Sequence, residues 1–526
     1  MRAAEREREA ALEVARIVRA AGGRALLVGG CVRDELLGGT PKDLDLECFG
    51  ISAPDLQTAL AEKFELDLVG ASFGVLKLKH LDIDVALPRR ETKLGLGHKA
   101  FGMEHDPNLS VAEASARRDF TVNAIYRDPL TDEILDPWNG RADLEKRILR
   151  HVSDHFREDP LRVLRGMQFV ARFDLDPAPE TVEVCRGMTP EGLPPERLFE
   201  EWAKLLTKGV RISKGLEFLR ATEWVRYYPE LERLIGCEQD PEWHPEGDVW
   251  NHTLCCLDAF AAKSEEGRGK SEAGREMGDE DLIVGLAVLC HDFGKPATTA
   301  FDPVKKRIRS LGHDEAGVEP TRAFLRRLTN EERILKEVPP LVQLHMRPFA
   351  MWKDKSSDNA IRRLAAKVVR IDRLVRVAAA DDAGIGSDRV SVGSDPNVSC
   401  PAPNDSCPAP NDSCPAPNVS CPALNDPCLA PNDSCPALSD SCLTLNDPLP
   451  PHCRWLLEQA ERLRIADSAP KPIVQGRDLI ALGMKPGVRF GIILKTAYEA
   501  QLDGSFFDLE GGIKFVKEQC HADNQT

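Results

Sequence analysis

The sequence predicts an α+β protein, a small mixed α/β head followed by an all-helical body. Three patterns carry this. Apolar runs of strand length crowd the first 130 residues, whereas from about 143 to 381 the apolar spacing is helical and strand patterns nearly vanish. At roughly 150 residues per domain, the 526-residue chain is long enough for three or four domains.

In chain order, residues 5–21 read as a helix, 25–28 as a buried strand, 33–37 as a helix start and 44–47 as a strand. Short strands are expected at 64–69, 75–79 and 81–86. The body carries helical patterns at 160–173, 198–206, 216–221, 282–290 and 359–380, and the polar stretch 263–281 reads as a loop. Seven of the sixteen cysteines, from Cys400 to Cys442, recur every seven residues within 394–451, in a unit close to Cys-Pro-Ala-Pro-Asn-Asp-Ser. That spacing reports a repeat rather than a disulfide framework, and it lacks the paired C-x2-C of structural zinc sites. Proline in nearly every unit bars a coiled coil, and large apolar residues are too few for a core, so a disordered insert is expected. Helices at 455–463 and 490–502 follow, separated by the turn-rich 483–487.

Lys and Arg number 69 against 85 Asp and Glu, a net charge of −16, which excludes a histone-like polycation. Any nucleic-acid surface must be local, and Arg141, Lys146, Arg147, Arg150, Arg157, Arg162, Arg165 and Arg172 crowd one stretch that would supply it. The longest apolar run, 282–290, is nine residues against the roughly 20 of a spanning helix, so no membrane span is expected. Residues 1–20 are charged and lack a secretory apolar region, which points to the cytoplasm.

Gly29-Gly30-Cys31-Val32-Arg33-Asp34 lies between a strand and a helix, where backbone N–H groups can cradle phosphate. A tight turn needing glycine explains the pair equally well. In Lys42-Asp43-Leu44-Asp45-Leu46 the strand period puts Asp43 and Asp45 on one face and the leucines on the other. Two convergent carboxylates suit Mg2+, which also binds substrate phosphates, though a solvated edge pair has the same pattern. Asp82 and Asp84 repeat the alternation, so a neighbouring strand can supply a third carboxylate for two-metal displacement at phosphorus.

These segments, with Arg117-Arg118-Asp119-Phe120-Thr121-Val122-Asn123-Ala124, resemble in order the head motifs of the tRNA nucleotidyltransferase/poly(A) polymerase family. Glu158-Asp159-Pro160-Leu161-Arg162-Val163-Leu164-Arg165 and Pro195-Glu196-Arg197 extend the resemblance to bacterial, class II CCA-adding enzymes. It implies that Asp43 and Asp45, with Asp84, are catalytic and hold Mg2+. It also implies that Gly29, Gly30, Arg33, Arg117, Arg118, Asp119, Asn123 and Arg165 contact the nucleotide, and that Asp159 and Arg162 pair with the incoming base. The chemistry agrees, because an acceptor and a donor at i, i+3 on one helical face can match a Watson-Crick edge. An i, i+3 surface salt bridge is the alternative for that pair.

His252, His291-Asp292 and Asp381 resemble the H…HD…D signature of HD metal-dependent phosphohydrolases. Two imidazoles and two carboxylates suit a transition metal such as Ni2+, Co2+ or Mn2+, and His313 and His345 can complete a second position. Ile385 departs from the resemblance, standing where those relatives usually carry arginine.

The domains expected are a nucleotidyltransferase head (1–140), a helical nucleotide-selection and RNA-binding region (141–235), an HD domain (236–390), the repeat insert (391–451) and a helical tail (452–526). The resemblance implies a template-independent enzyme that adds CMP and AMP from CTP and ATP to tRNA 3′ ends and releases pyrophosphate. A poly(A) polymerase or a CC- or A-only enzyme shares every head motif. An HD phosphohydrolase with an RNA-binding head is the alternative from another class.

Overall fold

The alternation around Asp45 is realised as an edge-to-centre run of paired strands. In the computed structural model, residues 3–41, 43–67, 75–93, 101–270, 278–385 and 449–522 are described. The head contains β1 (Arg24–Val28), β2 (Leu44–Phe49), β3 (Leu66–Asp67), β4 (Val75–Leu78), β5 (Ile83–Ala86), β6 (Arg89–Lys93), β7 (Phe101–His105), β8 (Tyr126–Arg127) and β9 (Ile134–Leu135). Seven of them form one sheet in the order β3-β4-β5-β2-β1-β8-β9, and β6 pairs with β7 apart from it. Only β2 and β5 run parallel within that sheet.

Helices Ala3–Ala20 and Ala53–Ala61 cover one face of the sheet, where Val14, Val18, Leu56 and Leu60 meet Leu27, Leu46 and Val85. On the other side Leu26, Val28 and Tyr126 pack with Leu109. A capping box between Ser110 and Glu113 starts helix Val111–Ser115, which delivers the chain to Arg117.

One continuous core then runs from Phe120 to Ile465. Helix Leu161–Phe173 packs there with Pro195–Lys208 and Ile212–Ala221, and helices Val249–Lys270, Asp279–Cys290 and Ile371–Gly384 continue it. Helix Pro451–Arg462 closes it through Cys453, Leu456 and Ala460. Helices Gly476–Ala481, Val488–Leu502 and Leu509–Ala522 share a smaller core of Leu479, Ile493, Ala497 and Val516.

The structure corrects the sequence reading at several points. The loop expected at 263–281 is helical to Lys270, because Glu265, Glu266, Arg268 and Lys270 are good helix formers whose polarity alone suggested a loop. The helical body, where strand patterns nearly vanish, still contains a hairpin, Thr299–Asp302 with Arg307–Ser310, whose turn is held by Asp302 accepting from the N–H groups of Val304 and Lys305. It also contains a short parallel pair, Ile148–Leu149 with Asp176–Pro177. The repeat and residues 68–74 of the neighbourhood of β3 lie outside the described residues. Among the described residues, no helix is long and apolar enough to cross a membrane.

Candidate functional site

Parallel pairing of β2 with β5 sets Asp45 directly opposite Asp84, on the neighbouring strand. Asp43 stands just before β2, and both it and Asp45 are exposed. Lys77, opposite Asp84 on β4, places its Nζ 2.9 Å from Asp84 Oδ2. Although the residue as a whole is exposed, partial desolvation of the Asp45 carboxyl raises it above the ordinary aspartate value, Arg118 opposes this, and the Asp84 and Asp43 carboxylates add to it. Such mutual repulsion between hard oxygen donors is relieved by a divalent cation, so the donor set fits Mg2+. Gly29, at φ 83°, starts helix Gly30–Leu36 beside them; a Cβ there would lie 3.2 Å from Arg118 Nη1 and 3.9 Å from Asp45 Oδ2. The turn thus requires glycine for its left-handed backbone.

The arginine-rich motif forms a buried network. Asp119 accepts from Arg165 Nε at 2.8 Å, from Asn123 Nδ2 at 2.9 Å and from the Phe120 N–H at 2.8 Å. Burial works against its charge, but Arg165 and these hydrogen bonds prevail and hold the carboxyl below its ordinary value. Asn123 Oδ1 accepts from Arg33 Nη1 at 2.6 Å. Arg33, expected at the nucleotide, is 4% exposed, bonded to Asp34 and stacked 4.2 Å over the Phe173 ring, where it ties the head to helix Leu161–Phe173. Arg117 donates to the Arg89 carbonyl, and Arg118 lies 3.6 Å from Glu47.

Asp159 and Arg162 do not share a helical face. Asp159 is extended (φ −125°, ψ 101°) just ahead of helix Leu161–Phe173, because a residue before proline is driven out of the α region. Its Oδ1 accepts the Leu161 N–H at 3.1 Å, and its Oδ2 accepts from Arg197 Nη2 at 2.9 Å. Arg162 donates instead to the His155 and Arg117 carbonyls, each at 2.6 Å. The surface salt bridge between the two is therefore replaced by separate anchors. Arg197, quoted in the sequence but not among the site residues chosen there, is the group that positions Asp159.

The basic stretch is more self-satisfied than its composition suggests. Arg150 pairs with Asp143 and Glu180, Arg147 donates to the Phe173 carbonyl, and Arg172 stacks on Phe173. Much of its charge serves packing rather than an open cationic surface.

In the body, His252, His291, Asp292 and Asp381 come together. His252 Nε2 lies 3.0 Å from Asp381 Oδ1, and His291 Nε2 lies 3.2 Å from Asp292 Oδ2 and 3.6 Å from Asp381 Oδ1. His313 and His345 join Asp292, with their Nε2 atoms 3.3 Å apart. The Nδ1 atoms of His291, His313 and His345 bond the carbonyls of Val288, Ser310 and Val342, each three residues upstream. A carbonyl only accepts, so each Nδ1 donates the proton of that bond and each Nε2 is turned toward the cluster. His252 Nδ1 is held in the same way by Glu246 at 2.8 Å. The buried His291 Nε2 and both Asp292 oxygens lack a satisfactory hydrogen-bond partner. Burial holds His345 down at about 4, whereas Asp292, against the effect of burial, pushes His291 up to about 10. Imidazole nitrogens and carboxylates converging in this way suit a transition metal. Among the described residues, the groups whose ligand atoms gather within 4.8 Å are all in this region.

Fold and site together define a nucleotidyltransferase head on a helical body with an HD-type cluster. A family model described as the Poly A polymerase head domain matches residues 25–150. The Multifunctional CCA protein of Xanthomonas oryzae pv. oryzae is 35% identical over 378 residues, 69% of this chain and 86% of the relative. That of Halorhodospira halophila is 34% identical over 381 residues, 69% of this chain and 84% of the relative. The Bacillus stearothermophilus CCA-adding enzyme in complex with CTP shares the fold at TM-score 0.57 and 19% identity, over 100% of both chains. The Thermotoga maritima CCA-adding enzyme complexed with tRNA_CCA does so at TM-score 0.51 and 15% identity, over 97% of this chain and 95% of that one. The chain belongs to the family of multifunctional CCA proteins.

Proposed function

We infer that this chain is a template-independent tRNA nucleotidyltransferase that adds CMP and AMP, as CCA, to tRNA 3′ ends and releases pyrophosphate. The observation that carries the reading is Asp45, set in register with Asp84 on the neighbouring strand and close to Gly29 and Arg118, with the Asp119 network and the separately anchored Asp159 and Arg162 following in the chain. Asp43, Asp45 and Asp84 hold Mg2+, which when bound neutralises triphosphate charge and acidifies the attacking 3′-hydroxyl. Gly29 and Gly30 admit the triphosphate, and Arg117, Arg118 and Asn123 line its approach. Arg33, Asp119 and Arg165 act one step back, fixing Asn123 and the helix that carries Arg162. Asp159 accepts from, and Arg162 donates to, the edge of the incoming base, so the protein itself stands in for a template.

The domain limits given above are part of this reading, with the head at 1–140 and base selection in 141–235. The protein works in the cytoplasm, where tRNA, CTP and ATP meet. The HD cluster holds a transition metal through His252, His291, Asp292 and Asp381, with a second position at His313 and His345; such an ion, when bound, activates water for phosphoester hydrolysis. Incubating the protein with tRNA lacking CCA, Mg2+ and each nucleoside triphosphate singly tests the reading. CTP alone should be incorporated, and ATP only once CC is present. Incorporation of ATP alone onto generic RNA would favour poly(A) synthesis instead.

A further inference from the structure

Helix Val249–Lys270 carries a second side chain into the HD cluster, one turn beyond His252. Residues four apart lie on one helical face, and Cys256 is fully buried with its Sγ 3.4 Å from His252 Nε2. The ligand atoms of His252, Cys256, His291 and Asp381 all lie within 4.8 Å of one another. A tetrahedral ion with ligand bonds of about 2.0–2.3 Å separates its ligands by about 3.3–3.7 Å. The thiol to His252 distance of 3.4 Å and the His291 to Asp381 distance of 3.6 Å fall in that range, and His252 to Asp381, at 3.0 Å, is slightly closer.

The backbone is arranged to admit the sulfur. A Cβ on Gly384 would lie 2.3 Å from Cys256 Sγ and 3.0 Å from the Cys256 nitrogen, so helix Ile371–Gly384 approaches this closely only because residue 384 is glycine. The same approach brings Asp381 to the centre. His291 Nε2, in a residue 1% exposed, makes no hydrogen bond, which independently marks a ligand position here.

We propose that Cys256 is itself a metal ligand, so that His252, His291, Asp381 and the Cys256 thiolate form a nitrogen, oxygen and sulfur centre that takes Zn2+ or Co2+ in preference to Mg2+ or Mn2+. The proposal rests on the HD metal reading, replaces Asp292 by Cys256 in the ligand set given there, and narrows the choice of ion. Soft thiolate favours Zn2+ over the hard cations that carboxylate and water suit. Asp292 then faces His313 and His345 as the adjoining group, with Lys295 Nζ 2.7 Å from its Oδ2. On loading, the S–H proton leaves to solvent and the sulfur lone pair forms the bond to the ion, with no change of oxidation state.

Cobalt spectroscopy on the full, reduced chain reads the sulfur bond directly. Wild type, Cys256→Ser and His291→Ala are each titrated with Co2+, and thiolate-to-cobalt charge-transfer absorption is compared with ligand-field absorption. Both variants leave the repeat cysteines untouched, so any signal from those cancels in the differences. The expected result is loss of charge-transfer intensity corresponding to one Co2+ in both variants, while Cys256→Ser keeps ligand-field absorption at weaker affinity. Circular dichroism of each variant verifies that it is folded. Unchanged charge-transfer intensity in Cys256→Ser, with ligand-field absorption lost in His291→Ala, overturns sulfur ligation but leaves the metal centre standing. Identical cobalt spectra in all three proteins overturn the HD metal reading and this proposal together.

Discussion

Replacing Arg162 by lysine isolates the geometry of base selection from its charge. The guanidinium is fixed by two charge-assisted hydrogen bonds at 2.6 Å, to the His155 and Arg117 carbonyls, and its planar fork leaves further N–H groups for a base edge. A lysine ammonium has no fork, so it cannot span the two carbonyls and present a donor in the same place. One lost charge-assisted bond to the base costs about 1.5–3 kcal/mol. At about 1.4 kcal/mol per factor of ten, this is a fall of about 10- to 150-fold in kcat/KM for the correct nucleotide. The wrong nucleotides never made that bond and should change little. The assay is single-nucleotide addition to tRNA ending at the discriminator base, comparing kcat/KM for CTP and UTP in wild type and Arg162→Lys. A variant whose CTP preference stays within about threefold of wild type refutes the assignment, since such a change is below the smallest loss expected for one bond.

Arg197→Met should erode the same preference more mildly, because Asp159 keeps its bond to the Leu161 N–H; the CTP to UTP ratio measures this. Asp45→Asn should abolish incorporation of CTP and ATP alike while tRNA binding, read by filter retention, persists. Gly384→Ala should cost about 1–3 kcal/mol by forcing helices Val249–Lys270 and Ile371–Gly384 apart, visible as a lowered thermal midpoint. Glu280 is held below its usual 4.5 chiefly by its hydrogen bond from Arg373. Its contribution is therefore complete above about pH 4.5 and lost as pH falls through the lower folded-state value. Glu280→Gln should flatten that acid limb of the stability profile, and an unchanged limb in urea titrations would contradict it.

The strand alternation made Asp43, Asp45 and Asp84 legible as a set, since a period of two is a local property of the chain. The parallel register that puts Asp45 opposite Asp84 is a long-range pairing with no local signature. Arg33 shows the same limit. The family resemblance implied a nucleotide contact for it, but Phe173 and Asn123, far along the chain, claim it. Asp159 was legible and misread, because Pro160 already argued against a helical conformation there. In the HD region the ligand types and order were visible, whereas the carbonyls that fix each imidazole depend on helix ends and a hairpin that the body's charged residues concealed. Cys256 carried its own signal in the i, i+4 spacing from His252.

The measurement that bears most directly on the central claim is sequencing of the 3′ ends formed when the protein acts on tRNA ending at the discriminator base with CTP and ATP both present. A CCA-adding enzyme gives cytidine, cytidine, adenosine in that order and arrest after three additions. Long adenosine tails without cytidine, or termination after CC with ATP in excess, would contradict that claim.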